Sequence, residues 1–546
     1  MAVSIPEGTA LASPSVIGWR GRGRAAAVPY ADGLFAWTAA AVAVAAMGLY
    51  LRTMLPGLGL WDIGEAQTVP HTLSIFHPTG FPTYALLGWL WSQIPFGNVA
   101  WRMNVLSGVC LAISSGLVAL IAGHLIGERH RGVRAAAAAV AGGSFAISME
   151  AWGVAVHADV HALNTLFEAL VIWLLLCWGA AEREGTSHAG LWLLAAALAF
   201  GIGLGDHPLL GLTAFGIAAW LLIVDRRIWR RWRLVLGCAG LVLLGLATYL
   251  YIPIRALTPP APPLFYAHPT TLERMEYLVF AEQFHSLFQF DNVLGTLLDK
   301  WPNAADILQR QFLGPGWVVA AMGAATLAVR RLGALVFLGL IAVADVVYSM
   351  NFSDGDIGRY YIPTILVGAV LIGVAVAMVT AASARAAAEL SHRLTGFAGR
   401  RRVASAAGGL VLAVGALLPL ATLALNYDSS DQSQRHDADQ WVASVYAVLP
   451  PNAVIISWWS YSTPLWYHRW ILGDRPDVMI IDERNILDDG YGTIGDAIDR
   501  YLGRRPVYVV PAEWNRDLIL ARYRTESIDT IPGYSAILLI TEPIPS

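Results

Sequence analysis

The chain has 546 residues, of which 56% are hydrophobic and only 14% charged, with a net charge of −3. Soluble proteins carry about 25% charged residues, so a polytopic membrane protein is expected rather than a soluble globule. The balance of charge gives no footprint for nucleic acid, and Lys300, the only lysine, sits in no glycine-rich Walker loop.

Residues 1–31 are rich in Gly, Pro and Ala and carry Arg20, Arg22 and Arg24, which predicts a disordered cytoplasmic tail ahead of an uncleaved first span. Apolar runs of about 17–25 residues can cross a bilayer. They fall near 33–53, 99–126, 133–154, 160–180, 189–205, 208–224, 234–254, 313–329, 332–350, 360–381 and 403–425. The expected fold class is therefore a polytopic α-helical membrane protein with about eleven transmembrane helices.

Arginines mark every second junction. Arg129, Arg131 and Arg134 follow the second run, and Arg183 follows the fourth. Arg226, Arg227, Arg230, Arg231 and Arg233 follow the sixth. Arg330 and Arg331 follow the eighth, and Arg393, Arg400, Arg401 and Arg402 the tenth. By the positive-inside rule these junctions are cytoplasmic. The expected domain of 32–425 then has its first outer loop at 54–98 and a long outer loop at 255–312. Residues 81–97, apolar and aromatic between Pro82 and Pro95, are expected to lie on the membrane as an interfacial helix. A twelfth span there would reverse every later loop.

The parity gathers the polar residues of chemical interest on one face: Asp62, Glu65, His71, His77, Glu150, His157, Asp159, His161, Asp206, His207, Asp354, Asp356 and Arg359. A transporter would spread such groups toward the midplane in two matching halves. No such internal repeat is visible. None of the histidines has the spacing of a zinc motif, and Cys110, Cys177 and Cys238 each sit in an apolar run, as small core or lipid-facing residues do.

From Asn426 the composition changes. Short β-like runs at 453–456, 478–481, 507–510 and 536–540 alternate with helical patterns near 438–449, 462–472, 493–503 and 514–523. This predicts a C-terminal extracytoplasmic α/β domain, 426–546, with a largely parallel sheet. Trp458, Trp459, Tyr461, Trp466 and Tyr467 cluster after its first strand. Such aromatics suit a sugar, a peptide acceptor or docking onto the membrane domain.

Three ordered motifs stand in the membrane domain: Trp61-Asp62-Ile63-Gly64-Glu65, His77-Pro78-Thr79-Gly80-Phe81-Pro82-Thr83-Tyr84 and Trp101-Arg102-Met103-Asn104-Val105-Leu106-Ser107. Later come Ala158-Asp159-Val160-His161-Ala162-Leu163-Asn164 and the stretch Asp354 to Pro363. Together they resemble a multispanning GT-C glycosyltransferase family, formerly of unknown function, that includes the vertebrate transmembrane O-mannosyltransferase of plexin-type receptors. The resemblance covers about residues 33–381, with a weaker echo in the tail. Thr79 stands where that family has proline, Phe81 where it has tyrosine, and Asp159 and His161 where it has Glu and Tyr. These departures bear on donor and acceptor identity more than on fold.

The resemblance implies transfer of a sugar, with mannose suggested, from a polyprenyl-phosphate carrier at the outer leaflet to a protein or glycan acceptor. Glycosyl transfer needs a carboxylate to take the acceptor's proton while the anomeric carbon gains positive charge. A phosphate leaving group needs cations or hydrogen-bond donors rather than a second acid. The expected catalytic residues are Asp62 as general base, Glu65 to orient the acceptor or substitute as base, and Asp159 as a second acid reaching the sugar or a metal. Arg359 and Arg102 are the candidates for the donor phosphate. His77, His161, Tyr84, His207 and Asp356 are the candidate pocket residues. A divalent metal, Mg or Mn, is the only cofactor considered. A flippase for lipid-linked sugars and a non-catalytic receptor or assembly protein remain as alternatives. The expected location is a bacterial plasma membrane, N-terminus inside.

Overall fold

A backbone in hydrocarbon has no water to bond, so an apolar run must satisfy itself as a helix. In the computed structural model, which describes residues 33–126, 131–395 and 400–545, every apolar run read from the sequence is helical. The predicted N-terminal tail lies outside the described residues. Among those described, seven helices are long and apolar enough to cross a membrane. Two bent pairs raise this to nine: Arg131–Ala146 with Met149–Ala155, at 67°, and Phe290–Gln311 with Pro315–Arg330, at 90°. Ala189–Leu204 and Pro208–Val224 are shorter apolar helices.

Helix Val99–Leu125 is the central post, with 83% of its apolar window buried inside the protein, whereas Trp232–Leu257 and Arg401–Ser430 are 11% buried and present their sides outward. The post matters because its first turns carry Asn104 and Ser107. Asn104 donates to the carbonyls of Leu55 (2.9 Å) and Gly57 (3.2 Å). Its Oδ1 accepts from Gln67 Nε2 (2.8 Å) and the Ala158 N–H (2.9 Å). One buried amide therefore ties together the loop after the first span, the helix Asp62–Thr72 and the turn before Asp159.

Residues 81–97 do not span. The helix there is Pro82–Ser92, 11 residues, about 16 Å long against the roughly 30 Å of hydrocarbon. It is packed inward more than the expected interfacial helix would be. Tyr84, Ala85 and Gly88 are buried, and Thr83 bonds the carbonyls of Gly205 and Ile202.

The C-terminal segment forms a five-stranded sheet: β1 (Val454–Ser457), β2 (Met479–Asp482), β3 (Val507–Val510), β4 (Tyr523–Ile528) and β5 (Ile537–Pro543), in the order β2-β1-β3-β5-β4. β1 pairs parallel with β2 and β3, whereas β5 runs antiparallel to both β3 and β4. The expected largely parallel sheet is corrected on this point. The unanticipated strand, β4, sits at the edge, and its sequence Tyr-Arg-Thr-Glu-Ser-Ile carries little apolar signal.

β1 leads straight into helix Trp459–Tyr467, which packs on Asp62–Thr72. Gly64 permits this approach, since a Cβ there would sit 2.8 Å from both the Gly59 carbonyl and Thr463 Oγ1. Tyr467 accepts the Ala100 N–H at 3.0 Å. The long loop closes the third side. Arg274 pairs with Asp488 and His268 with Asp489, both at 2.9 Å, and Ile75 forms a bridge to Phe265.

Asp482 ends β2 and is 3% exposed, and among the described residues its Oδ2 has no hydrogen-bond partner. Burial pushes it up to about 7, against smaller opposing pulls from Ser462 and Arg484. A raised carboxyl holds its proton in the fold, so its contribution is full below about pH 4 and is lost as the pH rises to about 7. Asp482→Asn is expected to flatten that decline in melting temperature, removing a slope on the order of a few kcal/mol. An unchanged slope would place the titrating group elsewhere.

Candidate active site

The three sides meet at Asp62. It opens the helix Asp62–Thr72, where a carboxylate is favoured by the exposed N–H groups of the first turn. Trp61 before it has φ 56, a left-handed value that a bulky residue adopts only when its surroundings hold it there. The Trp61 N–H bonds the Ser460 carbonyl at 3.3 Å, and its ring stands edge-on to Trp458 at 4.8 Å.

Both Asp62 oxygens are engaged. Oδ1 accepts from Trp459 Nε1 at 2.9 Å, and Oδ2 from Arg359 Nη2 at 3.0 Å. Arg359 also reaches Asp159, with Nη1 donating to Oδ2 at 3.2 Å. One guanidinium thus bridges the two carboxylates that sequence reasoning set apart as candidates. Asp159 is fixed as a helix cap: its Oδ1 accepts the His161 N–H at 2.7 Å, and its own N–H donates to Ser107 Oγ at 3.0 Å.

Burial would raise the Asp62 carboxyl. The positive charges of His77 and Arg359 and the Trp459 N–H outweigh it and hold Asp62 well below the usual carboxylate range. Burial would likewise raise the Asp159 carboxyl, and the charge of Arg359, helped by His157 and His161, outweighs it and holds Asp159 low.

Glu65 is 2% exposed and bonds to His77. Its Oε1 accepts the His77 N–H at 2.9 Å, and its Oε2 meets His77 Nδ1. Burial disfavours charge on His77, but the Glu65 carboxylate raises it above its ordinary value. The His77 ring is walled by Phe81 (5.2 Å), Trp459 (5.4 Å), Phe284 (6.4 Å) and Tyr266 (6.5 Å).

Beneath lies a second aromatic wall. His161 and His207 stand 4.6 Å apart, with Tyr360 at 4.9 Å from His161 and Phe81 stacked on His207 at 5.4 Å. Tyr84 and Asp206 are buried, and among the described residues neither oxygen of the Asp206 carboxylate has a hydrogen-bond partner. Asp356 is 74% exposed, its Oδ2 3.7 Å from Arg359 Nε.

Arg102 is not brought to this site. Its guanidinium holds the carbonyls of Ser92 and, at 2.8 Å, Ile94. It closes the 92–98 turn and makes no pair with Asp62. In the other direction, Tyr266, Tyr360 and Arg484 were not anticipated, and Trp459 was expected only as one of a cluster suited to a sugar, a peptide acceptor or docking. The Arg484 guanidinium lies 4.5 Å over the Trp459 ring. The only sequence signal for Trp459 was its place in an aromatic cluster after a strand.

Residues 62–231 match the family described as the protein O-mannosyl-transferase TMEM260 N-terminal domain. The chain is 25% identical over 490 residues to the protein O-mannosyl-transferase TMEM260 of Mus musculus, covering 86% of this chain and 65% of that one. It is 26% identical over 216 residues to the Dictyostelium discoideum protein of that name, covering 37% of this chain and 26% of that one. The chain thus spans less than two thirds of these relatives' length. Both are eukaryotic, which overturns the expectation of a bacterial plasma membrane. Among solved structures, ArnT from Cupriavidus metallidurans superposes with a TM-score of 0.59 at 16% identity in its apo state. The same protein bound to undecaprenyl phosphate gives 0.54 at 14%. Both cover 93% of this chain and 98% of theirs, and they establish the fold. The stretch holding Asp62, Glu65, His77 and Asp159 is therefore similar to the TMEM260 N-terminal domain family, in a chain that shares the fold of ArnT.

Proposed function

We propose that this chain is a glycosyltransferase that moves a sugar, mannose by the names of its relatives, from a polyprenyl-phosphate carrier to a hydroxyl of a protein acceptor, at the outer face of its membrane. The observation that carries the reading is the Arg359 guanidinium shared between Asp62 and Asp159, where membrane helices meet the C-terminal domain. The undecaprenyl phosphate bound by the ArnT neighbour supports a carrier of that class.

The chemistry follows from the bridge. Arg359 is the cation for the donor phosphate, whose oxygens compete with the carboxylates for its fork of N–H groups. As the phosphate draws Arg359 over, Asp62 loses a partner and becomes a stronger base. The acceptor hydroxyl attacks the anomeric carbon, and its proton passes to Asp62. The bond from that carbon to the phosphate oxygen breaks, and the carrier phosphate departs with the electron pair, stabilised by Arg359. Trp459 holds Asp62 in place throughout. Glu65 acts one step back, keeping His77 charged beside Asp62.

A metal does not fit between Asp62 and Asp159, because the chain's own guanidinium fills that gap. Asp62, Glu65 and His77 each offer one ligand atom, all within 4.8 Å. Both Glu65 oxygens are committed to His77, however, and Mg or Mn wants several free oxygen ligands. Chelation of the purified protein is expected to change the transfer rate by less than about twofold. Loss of transfer on chelation, restored by Mn, would refute this. The function itself is tested by supplying polyprenyl-phosphate sugars and assaying label in protein.

A further inference from the structure

Beside Asp62, on the C-terminal domain, lies an open groove of about 480 Å³ lined by four tryptophans. That size is in the range of ligand-binding clefts. Two of its indoles face water: Trp61 is 50% exposed and Trp514 67%. Indoles are the side chains most enriched where a partner's binding energy concentrates.

The rings are walls rather than a floor. Trp458 stands at 83° to Trp61 and at 75° to Trp514, with centroids 4.8 and 5.6 Å apart. A sugar ring seeks one broad aromatic face, whereas notches between upright rings take prolyl and aliphatic side chains of an extended chain. The inner end of the groove is Trp459, whose Nε1 donates to Asp62. A chain laid along the groove therefore delivers its innermost residue to the base. The outer rim is acidic. Glu483 is pinned by Trp514 Nε1 at 3.1 Å and Asn515 Nδ2 at 2.7 Å, and Glu513 is exposed. Arg484 also lines the groove, but its guanidinium lies over the Trp459 ring at the inner end, leaving Glu483 and Glu513 as the charges of the rim.

The geometry points to this groove as the acceptor site, seating an extended polypeptide segment that carries a basic residue beside its Ser or Thr. The acceptor role rests on the glycosyltransferase reading; the groove's preference for polypeptide does not.

The test uses the full-length protein in detergent and fluorescein-labelled synthetic peptides with one Thr, flanked by Pro and either Lys or Glu, read by anisotropy. The Lys peptide is expected to bind more tightly than the Glu peptide. Trp514→Ala is expected to weaken the Lys peptide about 30-fold, the size of a hot-spot loss. Glu513→Lys is expected to abolish or reverse the preference between the two peptides. Equal binding by wild type and Trp514→Ala overturns the proposal. So does Trp514-dependent binding of an oligomannose glycan in place of the peptides. Sugar transfer is measured on the same preparations. Trp514-dependent peptide binding without transfer from any donor keeps the groove and removes the glycosyltransferase reading. Transfer with Trp514-indifferent binding does the reverse.

Discussion

Asp62→Asn is expected to lower glycosyl transfer by about 10³-fold, within the 10²–10⁴ that a general base supplies. The substitution keeps size and the partner at Oδ1, so the Trp459 hydrogen bond can persist. It removes the carboxylate to which the acceptor's proton passes. It also removes half of the charge that Arg359 bridges, so the donor phosphate should bind as well as before or better. The expected signature is a collapse of kcat with an unchanged or lowered KM for the donor. A variant that loses donor affinity and keeps kcat would show Asp62 to be a binding group. The pH profile gives a second check. Because His77 and Arg359 hold the Asp62 carboxyl well down, the wild type is expected to keep its base ionised from about pH 7 to about pH 5.

Arg359→Gln is expected to cost about 10²–10³-fold, the magnitude of removing one charged donor from a developing anion. Its effect falls on different constants. Donor KM rises, because glutamine offers no charge to the phosphate, and kcat falls, because the leaving group departs unassisted. The acid limb of the profile moves to higher pH, since Asp62 and Asp159 both lose the cation that lowers them. Leaving Asp159 buried without its partner also destabilises the fold, by about 3–5 kcal/mol. The variant should therefore be assayed at a temperature where it is monodisperse. An unshifted acid limb would mean that Asp62 is not the group whose ionisation limits the rate.

How much of this could be read from the chain is uneven, for physical reasons. Asp62, Glu65 and Asp159 were legible because charge beside an apolar span is costly and must have a use. The membrane helices were legible because the bilayer allows a long apolar run no other conformation. The pairing at the site was not. Trp459 lies 397 residues from Asp62, and Arg359 lies 297 away; no local pattern encodes such contacts. Arg102 illustrates the opposite error. It sits in a motif beside the site, yet its charge is spent on the carbonyls of a turn. The asparagine of the same motif, Asn104, is its structural centre, bonding both Gln67 and the loop at Leu55. β4 escaped notice because an exposed edge strand need not alternate apolar with polar residues.

The most direct test of the central claim is incorporation of radiolabelled mannose from polyprenyl-phosphate mannose into protein, with wild type and Asp62→Asn reconstituted side by side and membrane extract supplying acceptors. Label in protein with the wild type, and its loss with Asp62→Asn, is the result this account predicts. Equal incorporation by both proteins would contradict it.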